Sequence, residues 1–313
     1  MRAAVFTEAD GFGIVTLPVP EPGPGQIRVK VAASDVNNID VSQSRGNMAT
    51  HVDPTTNPPE VEMGHPERVG VGVNVAGTVD ALGPGVNGPA LGTRVAGTRF
   101  GSDPRFTELG SHADYVLVSA KDIAPLADSL DFLDAATIPL NALTAADGLA
   151  QLDISLGNRV LVTGAAGSAG GYAVSLAAHA GWDVTALARD TDTDFLQRAG
   201  AAHAITSLDG QEGFDAVLDA ASLNEQTLPV LRDGGTYVAF DLRYPEGLDA
   251  RNITAHAAYY PRAGHQKLEE VLQLAAEGIL EPRRAGIVPL DDATRAYSLL
   301  TKGGHRGRWV ITP

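Results

Sequence analysis

A short apolar run that leads into closely spaced glycines is the strongest chemical signal in the chain. The run covers residues 159–163, and a helical pattern follows it. At the junction stand Gly164, Ala165, Ala166, Gly167, Ser168, Ala169 and Gly170. Glycines at this spacing permit a sharp turn, close approach to a pyrophosphate and tight packing of helix on strand, while free N–H groups at the helix start attract phosphates. These residues therefore predict a dinucleotide site. The alternative is that the glycines serve only a turn and close packing, which require glycine even where no ligand binds.

The end of the next strand-like run indicates which dinucleotide is bound. This run ends in Ala188 and is followed by Arg189. Sites for NAD usually carry Asp or Glu here, about 20 residues after the glycines, to hold the ribose 2′-hydroxyl. A missing carboxylate and an arginine fork favour a 2′-phosphate, so the sequence predicts NADP(H) as the cofactor. The alternative is a surface arginine paired with one of three nearby acids, Asp190, Asp192 and Asp194.

The composition excludes several classes of partner and site. The 313 residues carry a net charge of −15, and so negative a surface disfavours binding to nucleic acid or anionic membranes. Asp (25) outnumbers Glu (13), and 4 lysines accompany 19 arginines, a bias that fits either a high-salt habitat or genome composition. Cysteine is absent, which excludes disulfides and thiolate metal ligands and fits a reducing cytoplasm. No apolar run is long enough to span a bilayer, and the first residues do not read as a signal peptide.

Two kinds of pattern divide the chain into two units. Short β-like runs separated by Gly and Pro fill the first third, apart from a long polar segment at residues 47–71. Helical spacing appears near residue 131, and strands then alternate with helices through residue 240. Strands that are apolar on both faces and separated by helices predict a parallel sheet covered on both sides. A last strand at residues 308–311 is expected to join the first unit, because the sheet of the middle unit is already complete.

Six short segments stand in an order typical of one enzyme superfamily. They are V-N-N-I-D at 36–40 with R-G at 45–46, G-V-N-V-A-G-T-V at 72–79, L-N-A-L-T-A at 140–145, the glycine turn at 164–170, F-D-A-V-L-D at 214–219 and G-R-W-V-I at 307–311. The chain thereby resembles the medium-chain dehydrogenase/reductase superfamily and, within it, the zinc-free quinone oxidoreductase (zeta-crystallin-like) branch. The resemblance implies an α/β fold: a Rossmann-type doubly wound parallel sheet domain, residues 138–261, and a GroES-like β-rich catalytic domain, residues 1–137 and 262–313. Hydride transfer would take place in the cleft between them.

The resemblance also implies which residues do the chemistry. Asn37 is expected near the nicotinamide or the substrate carbonyl, with its amide as a donor, and Ser42 is expected to donate a further hydrogen bond. Zinc-dependent relatives carry a cysteine ligand at the position of Asn37, so no metal site is expected, and His65 is expected to be a loop histidine. An Asx-type turn at Asn37 and a solvated hydroxyl at Ser42 are the alternatives. Asp40 is expected to brace Arg45 or the backbone.

Further residues are expected along the cofactor. By resemblance, those near the nicotinamide end are Asn141, Thr144, Phe240 and Asp241. Ser222 is expected near the adenosine ribose, and Arg308 at a cofactor phosphate. The alternatives are a helix cap for Thr144, a core position for Phe240 and a plain strand edge for Arg308.

The implied reaction is zinc-independent transfer of hydride from NADPH to a quinone or an α,β-unsaturated carbonyl, whose product anion is delocalised. A variant is an enoyl reductase that acts on acyl chains. The alternatives are an NADPH-binding redox sensor or structural protein with little turnover, and a zinc alcohol dehydrogenase. The expected partner is a small molecule, with no nucleic acid or membrane. The resemblance also implies a homodimer formed by edge-strand pairing, for which residues 236–240 and those after them are the candidates.

Overall fold

The structure, a computed structural model, describes residues 1–44, 67–99, 109–241, 243–258 and 263–313. Most of the polar segment at residues 47–71, including His65, lies outside these ranges, as does Arg45. Among the described residues, no helix combines the length and apolar character that a membrane crossing requires.

The β-rich unit is built from two sheets. The smaller has the strand order β2-β1-β4, and the larger has the order β15-β16-β3-β5-β6-β8, with β7 also paired to β3. The strands of the smaller sheet are β1 (Arg2–Thr7), β2 (Gly11–Thr16) and β4 (Val69–Gly70). Those of the larger are β3 (Gln26–Asp35), β5 (Asn74–Leu82), β6 (Arg94–Thr98), β7 (Tyr115–Ser119), β8 (Ile123–Pro125), β15 (Arg284–Pro289) and β16 (Arg308–Thr312).

Strand β3 connects the core of this unit to the region of the predicted site. Ile27, Val29 and Val31 are buried and alternate with Arg28 and Lys30, the period of two expected for a strand with one face on a core. Its last residues are buried without alternation, because β16 pairs with this end. As the sequence suggests, the last strand thus joins the β-rich unit, and it carries Arg308 with it.

The second unit is a parallel sheet with the order β11-β10-β9-β12-β13-β14. Its strands are β9 (Arg159–Thr163), β10 (Asp183–Leu187), β11 (His203–Ile205), β12 (Phe214–Asp219), β13 (Leu231–Ala239) and β14 (Thr254–Ala257). Val160, Leu161 and Val162 on β9 are all fully buried, as expected for a strand covered on both faces. The chain leaves β9 toward β10 on one side and returns to β12 on the other. The carboxyl ends of β9 and β12 therefore form the switch point where such sheets bind ligands.

Helices surround both units. They are α1 (Asn38–Ser44), α2 (Phe132–Ala135), α3 (Pro139–Ala150), α4 (Ser168–His179), α5 (Thr193–Arg198), α6 (Gly264–Ala276) and α7 (Ala293–Lys302). Helices α3 and α4 pack against each other and contribute to one large apolar core together with β9. This packing holds the start of α4 at the switch point.

The structure differs from the sequence-based expectations in three places. A helix was expected before the last strand of the parallel sheet, but residues Asn224–Val230 form a 3-10 helix that contains Pro229. The strands β14 and β15 were not expected. The expected dimer strand at residues 236–240 lies inside the sheet, because β13 pairs with β12 on one side and with β14 on the other. Among the described strands, β14 follows that strand in the chain and forms this edge of the sheet, and β11 forms the other edge.

Candidate active site

A cavity of about 710 Å³ lies at the switch point, where the parallel sheet faces the β-rich unit. It brings together most of the predicted residues: Asn37, Ser42, Asn141, Thr144, Gly164, Gly167, Ser168, Ala169, Gly170, Ser222, Phe240, Asp241 and Arg308. Four predicted residues do not line it: Ala165, Ala166, Ala188 and Arg189. A second cavity of about 770 Å³, beside residues 23–26 of the β-rich unit, contains none of them. The convergence of polar groups from both units marks the first cavity as the site.

The glycine turn leaves an anion-binding start on α4. Gly164 has a φ of +57°, which bends the chain sharply after β9. Gly167 is the N-cap and supplies no side-chain acceptor, so the first N–H groups of α4, at Ser168 and Ala169, have no helical partner. A Cβ at Gly170 would lie 2.3 Å from the carbonyl oxygen of Gly164. The turn therefore fits a pyrophosphate on exposed N–H groups, and it depends on glycine for its packing.

Ala165 and Ala166 support the turn from behind. Both side chains are buried, which explains why they do not line the cavity. The N–H of Ala165 donates to the carbonyl of Leu187 (3.2 Å), and Nη1 of Arg283 donates to the carbonyl of Ala166 (2.8 Å). These bonds fix the turn between β10 and the residue that precedes β15.

A chain of hydrogen bonds forms the opposite end of the cavity. Nη2 of Arg308 donates to Oδ1 of Asn141 (2.7 Å), and Nδ2 of Asn141 donates to Oδ1 of Asn37 (3.2 Å). Nδ2 of Asn37 donates in turn to Oδ1 of Asp35 (2.7 Å). An amide nitrogen carries two hydrogens, so Nδ2 of Asn37 has a second hydrogen that the bond to Asp35 does not use. Asn37 and Asn141 belong to different units, and the bond between them joins the two sides of the cleft.

Two buried carboxyl groups lie directly behind Asn37. Asp35 and Asp40 are both fully buried, and Oδ2 of Asp40 accepts from the backbone N–H of Asn37 (2.7 Å). Asp40 thus braces the backbone at the start of α1. Burial raises the pKa of Asp35 to about 7, against the opposing charge of Arg308. Burial also raises the pKa of Asp40 to about 8, so both groups titrate near neutral pH.

His112 and Tyr297 lie behind this region, and their hydrogen bonds fix the protonation state of the His112 ring. Nε2 of His112 lies 2.9 Å from the carbonyl oxygen of Asp35, which can only accept, so Nε2 carries the proton. Nδ1 therefore accepts from the hydroxyl of Tyr297 (2.6 Å). Burial lowers the pKa of His112 to about 4, which keeps the ring neutral at pH 7. Neither residue was singled out from the sequence, because nothing in the local pattern shows that they meet.

The structure decides two alternatives on the nicotinamide side. Thr144 is not a helix cap: it lies inside α3, whose N-cap is Ile138, and its hydroxyl donates to the carbonyl of Leu140 (2.7 Å). Phe240 is only partly buried and lines the cavity, so it is not a plain core residue. A Cβ on Gly148 would lie 3.0 Å from its ring, which shows how closely α3 packs on this wall.

A strained loop after β12 presents polar groups to the cavity. Ser222 has a φ of +55° and Asn224 one of +50°, a conformation that non-glycine residues adopt rarely and mainly where other contacts enforce it. The enforcing contact is Asp219, whose Oδ2 accepts from the N–H of Asn224 (2.8 Å). Burial opposes ionisation of Asp241, but hydrogen bonds from Ser222 and Arg243 outweigh it and lower the pKa of Asp241.

Arg189 lies outside the cavity and is exposed after β10. Among the described residues no ion pair joins Arg189 to Asp190, Asp192 or Asp194. Asp192 is held instead by Arg306, whose Nη2 and Nε lie 2.6 and 2.8 Å from its carboxyl oxygens. Arg189 forms no direct ion pair with Asp192, but its charge helps to lower the pKa of that carboxyl.

One loop of the cavity was missed by sequence reasoning. Gly303, Gly304, His305 and Gly307 line it opposite the glycine turn. The three glycines all have positive φ, and the side chain of His305 packs edge-on against Trp309. The closely spaced glycines before the last strand are the signal that could have revealed a second glycine loop.

No metal site is built by the side chains of the described ranges. Within those ranges no three His, Asp or Glu side chains stand close enough together to hold a metal ion. The amide of Asn37 is engaged by Asp35 and Asn141, and amide nitrogen is not a zinc ligand. The residues at this position therefore do not fit zinc.

Comparison with known proteins gives matches over most of the chain. Residues 23–128 match the family model described as "Alcohol dehydrogenase GroES-like domain", and residues 181–311 match the one described as "Zinc-binding dehydrogenase". The quinone oxidoreductase from Coxiella burnetii is 26% identical, with a TM-score of 0.82 over 100% of this chain and 99% of that structure.

Two curated plant proteins are also similar. The 2-methylene-furan-3-one reductase of Solanum lycopersicum is 26% identical over 100% of this chain and 79% of its own length. The chloroplastic NADPH-dependent alkenal/one oxidoreductase of Arabidopsis thaliana is 28% identical over 76% of this chain, which spans 62% of that protein. The matched domains, the parallel sheet with its glycine turn and the β-rich unit beside it agree with the resemblance found in the sequence. The chain therefore belongs to the medium-chain dehydrogenase/reductase superfamily of oxidoreductases.

Proposed function

We propose that the protein transfers hydride from NADPH to a quinone or an α,β-unsaturated carbonyl without zinc. The observation that carries the proposal is the cavity itself, which joins exposed N–H groups of α4 at one end to the Asn37–Asn141–Arg308 chain at the other. The names of the similar proteins point the same way, since they include a quinone oxidoreductase and two enone or alkenal reductases.

Each end of the cavity has a separate task in this proposal. NADPH supplies the hydride from its nicotinamide ring. The N–H groups of Ser168 and Ala169 bind its pyrophosphate, and Phe240 covers the wall beside α3. At the far end, the remaining Nδ2 hydrogen of Asn37 donates to the acceptor oxygen as negative charge develops on it. Such donors act only when they are already in position, and the bonds to Asp35 and Asn141 hold the amide there.

Zinc independence is the part of the proposal that departs from the name of the matched family. Asn37 stands where the zinc-dependent relatives have a cysteine ligand, and its amide is taken up by Asp35 and Asn141. An acceptor that forms a delocalised enolate or hydroquinone anion needs oriented donors rather than a strong Lewis acid.

The proposal is tested by following NADPH oxidation with a panel of benzoquinones, enones and alkenals. We expect turnover with at least one acceptor class, no loss of activity after chelation, and no stoichiometric zinc in metal analysis. Tight binding of NADPH without turnover on any acceptor contradicts the proposal and supports a sensor. Zinc that is both stoichiometric and required for turnover contradicts it in favour of an alcohol dehydrogenase.

Preference for NADPH over NADH is proposed to depend on Arg189. Its guanidinium is exposed at the end of β10, where the adenosine ribose lies in sheets of this type. Arg189→Ala is expected to weaken NADPH binding roughly 10- to 100-fold, the effect of losing a charge-assisted bond to phosphate, and to leave NADH binding unchanged. Fluorescence titration with both cofactors measures this. Arg198→Ala, which removes an exposed arginine of α5, is the matched control, and an equal loss for both cofactors contradicts the assignment.

A homodimer and a cytoplasmic location complete the proposal. Strand β14 pairs with β13 on one side, and among the described residues no strand pairs with its other side, which leaves an edge suited to pairing with a second copy. Light scattering measures the mass, and a monomer at micromolar concentration contradicts the dimer. The cytoplasmic location is supported by the absence of cysteine, and fractionation of the source cells tests it.

A further inference from the structure

Beneath the nicotinamide end of the cavity lies a cluster of ionisable groups with unused hydrogen-bonding atoms. Asp35 and Asp40 are fully buried, and Arg308 reaches them from β16. Each has one enclosed atom that makes no full hydrogen bond among the described residues: Oδ2 of Asp35, Oδ1 of Asp40 and Nε of Arg308. The side chain of Asn74 lies close enough to Asp35 to help lower its pKa. Buried polar atoms are normally paired, so three in one cluster mark a place whose charge or protonation state is not fixed by the fold.

The cluster is separated from the cavity by a single side chain. Asn37 lines the cavity, and it donates to Asp35 through Nδ2 and to Asp40 through its backbone N–H, both at 2.7 Å. Arg308 also lines the cavity. A charge placed against Asn37 therefore acts on both carboxyl groups across a short, protein-filled distance, where screening by water is weak.

Two acids face two arginines in this cluster, but only Arg308 acts on both of them, whereas Arg99 acts on Asp40. If both carboxyls ionise, their negative charges repel each other, and burial adds to the cost. Burial raises the pKa of Asp35 to about 7 and that of Asp40 to about 8. The pair therefore keeps a proton near neutral pH that two exposed carboxyls would have lost.

The titratable groups that pack around the pair keep their charge state near pH 7.5. They are Arg308 on β16, Arg99 after β6, Tyr172 on α4, Tyr297 on α7 and His112 before β7. The arginines stay protonated, and burial raises the pKa of both tyrosines. Burial also lowers the pKa of His112 to about 4, so this ring stays neutral.

We propose that the Asp35–Asp40 pair couples a proton to the redox state of the nicotinamide: the cationic oxidised ring, bound against Asn37, releases a proton from the pair to solvent, and the neutral reduced ring does not. The inference rests on the proposed function for the position of the ring. The proton leaves one carboxyl O–H as the carboxylate forms, and no other bond changes. The binding of NADP+ should therefore strengthen with rising pH, whereas that of NADPH should not.

The test is calorimetry of the wild-type protein with NADP+ and NADPH at pH 7.5, in phosphate and in Tris, whose ionisation enthalpies differ. Because both ligands carry the same 2′-phosphate, its own titration cancels in the comparison. We expect roughly half a proton more to be released with NADP+ than with NADPH, since a nearby opposite charge lowers a carboxyl pKa by about 1–3. Equal proton release with the two ligands overturns the inference and leaves the proposed function intact. If neither NADP+ nor NADPH binds, both the inference and the proposed function are wrong.

Variants identify the source of the proton. Because burial raises the pKa of each acid, either single substitution, Asp35→Asn or Asp40→Asn, should reduce the difference between the ligands to the part that the remaining carboxyl contributes, with the larger loss expected for Asp40→Asn. Asp209→Asn, at an exposed position, is the control that keeps the difference. His305 also lines the cavity, and loss of the difference in His305→Gln would overturn the assignment to the carboxyl pair. If neither Asp variant folds, the wild-type comparison of the two ligands and the His305→Gln variant still test the inference.

Discussion

Arg308→Ala is expected to destabilise the protein by about 2 kcal/mol at pH 8. Arg308 forms no direct ion pair with either acid among the described residues, but its charge lowers the pKa of both Asp35 and Asp40, and loss of a buried hydrogen bond from a charged group costs roughly 1.5–3 kcal/mol. The lower end applies here because the guanidinium also reaches the cavity. The substitution removes the arginine charge that acts on both Asp35 and Asp40 and the bond to Asn141, so hydride transfer should be lost as well.

The destabilisation should depend on pH with a defined sign. In the wild-type fold the pKa of Asp35 is raised to about 7 and that of Asp40 to about 8, while the unfolded chain ionises near pH 4. The folded state therefore binds more protons than the unfolded chain above pH 4, and stability falls with rising pH until both groups have ionised. Without Arg308 the pKa values of Asp35 and Asp40 rise further, so the pH range over which stability falls extends upward. The loss of stability should be smaller at pH 6 and larger at pH 9.

Urea unfolding of the variant and the wild type at pH 6, 8 and 9 measures both effects. Arg232→Ala is the matched control, because Arg232 pairs with Asp215 (2.6 Å) at the surface, with about half of its side chain exposed. Such pairs contribute roughly 0–1 kcal/mol. A change for Arg308→Ala that is no larger than the control, or one that shrinks toward pH 9, would show that Arg308 does not compensate the buried acids.

Gly170→Ala is expected to remove cofactor binding and to destabilise the fold by about 1–3 kcal/mol, the usual cost of forcing an extra methyl group into a packed region. In an exposed helix the same change stabilises by about 1 kcal/mol. Here the new Cβ would lie 2.3 Å from the carbonyl oxygen and 2.8 Å from the carbonyl carbon of Gly164. Both are backbone atoms, so rotation of a side chain cannot relieve the contact, and α4 must move away from the turn.

Thermal unfolding with and without NADPH measures this prediction. Gly13→Ala on β2 is the control, because a Cβ there meets no atom within 4 Å. The Gly170 variant should show a lower Tm and no stabilisation by NADPH, whereas the control should behave like the wild type. A Gly170 variant that keeps its Tm and its response to NADPH would mean that α4 tolerates displacement, and the tight-packing argument would be wrong.

The parts of the site encoded in contiguous sequence could be predicted without a structure. The turn from Gly164 to Gly170 joins an apolar strand to a helix within seven residues, so local spacing is enough to identify it. The same holds for the alternation of strands and helices that predicts the parallel sheet. Asn37 and Asn141 needed the family resemblance, because nothing in their own surroundings indicates that they share a cavity.

The parts that could not be predicted depend on contacts between distant residues. Arg308 and Asn141 are 167 positions apart, and His112 meets Tyr297 across 185. The burial of Asp35 also escapes local analysis, because β3 alternates until β16 pairs with its end. Short strands such as β14 have too few residues for a period to emerge. The position of residues 236–240 inside the sheet has the same origin, since an apolar strand looks alike at an edge and in the middle of a sheet.

The pairing of β16 with β3 has a consequence for the order of events during synthesis. When residues 1–300 have emerged from the ribosome, the glycine turn, Asn37 and both acidic residues are already outside it. Arg308, whose charge acts on those acids, has not yet emerged. Nascent intermediates should therefore resemble Arg308→Ala in their charge imbalance, and the active site should form only when β16 pairs with β3. Fragments that stop before β16 would then be inactive rather than partly active.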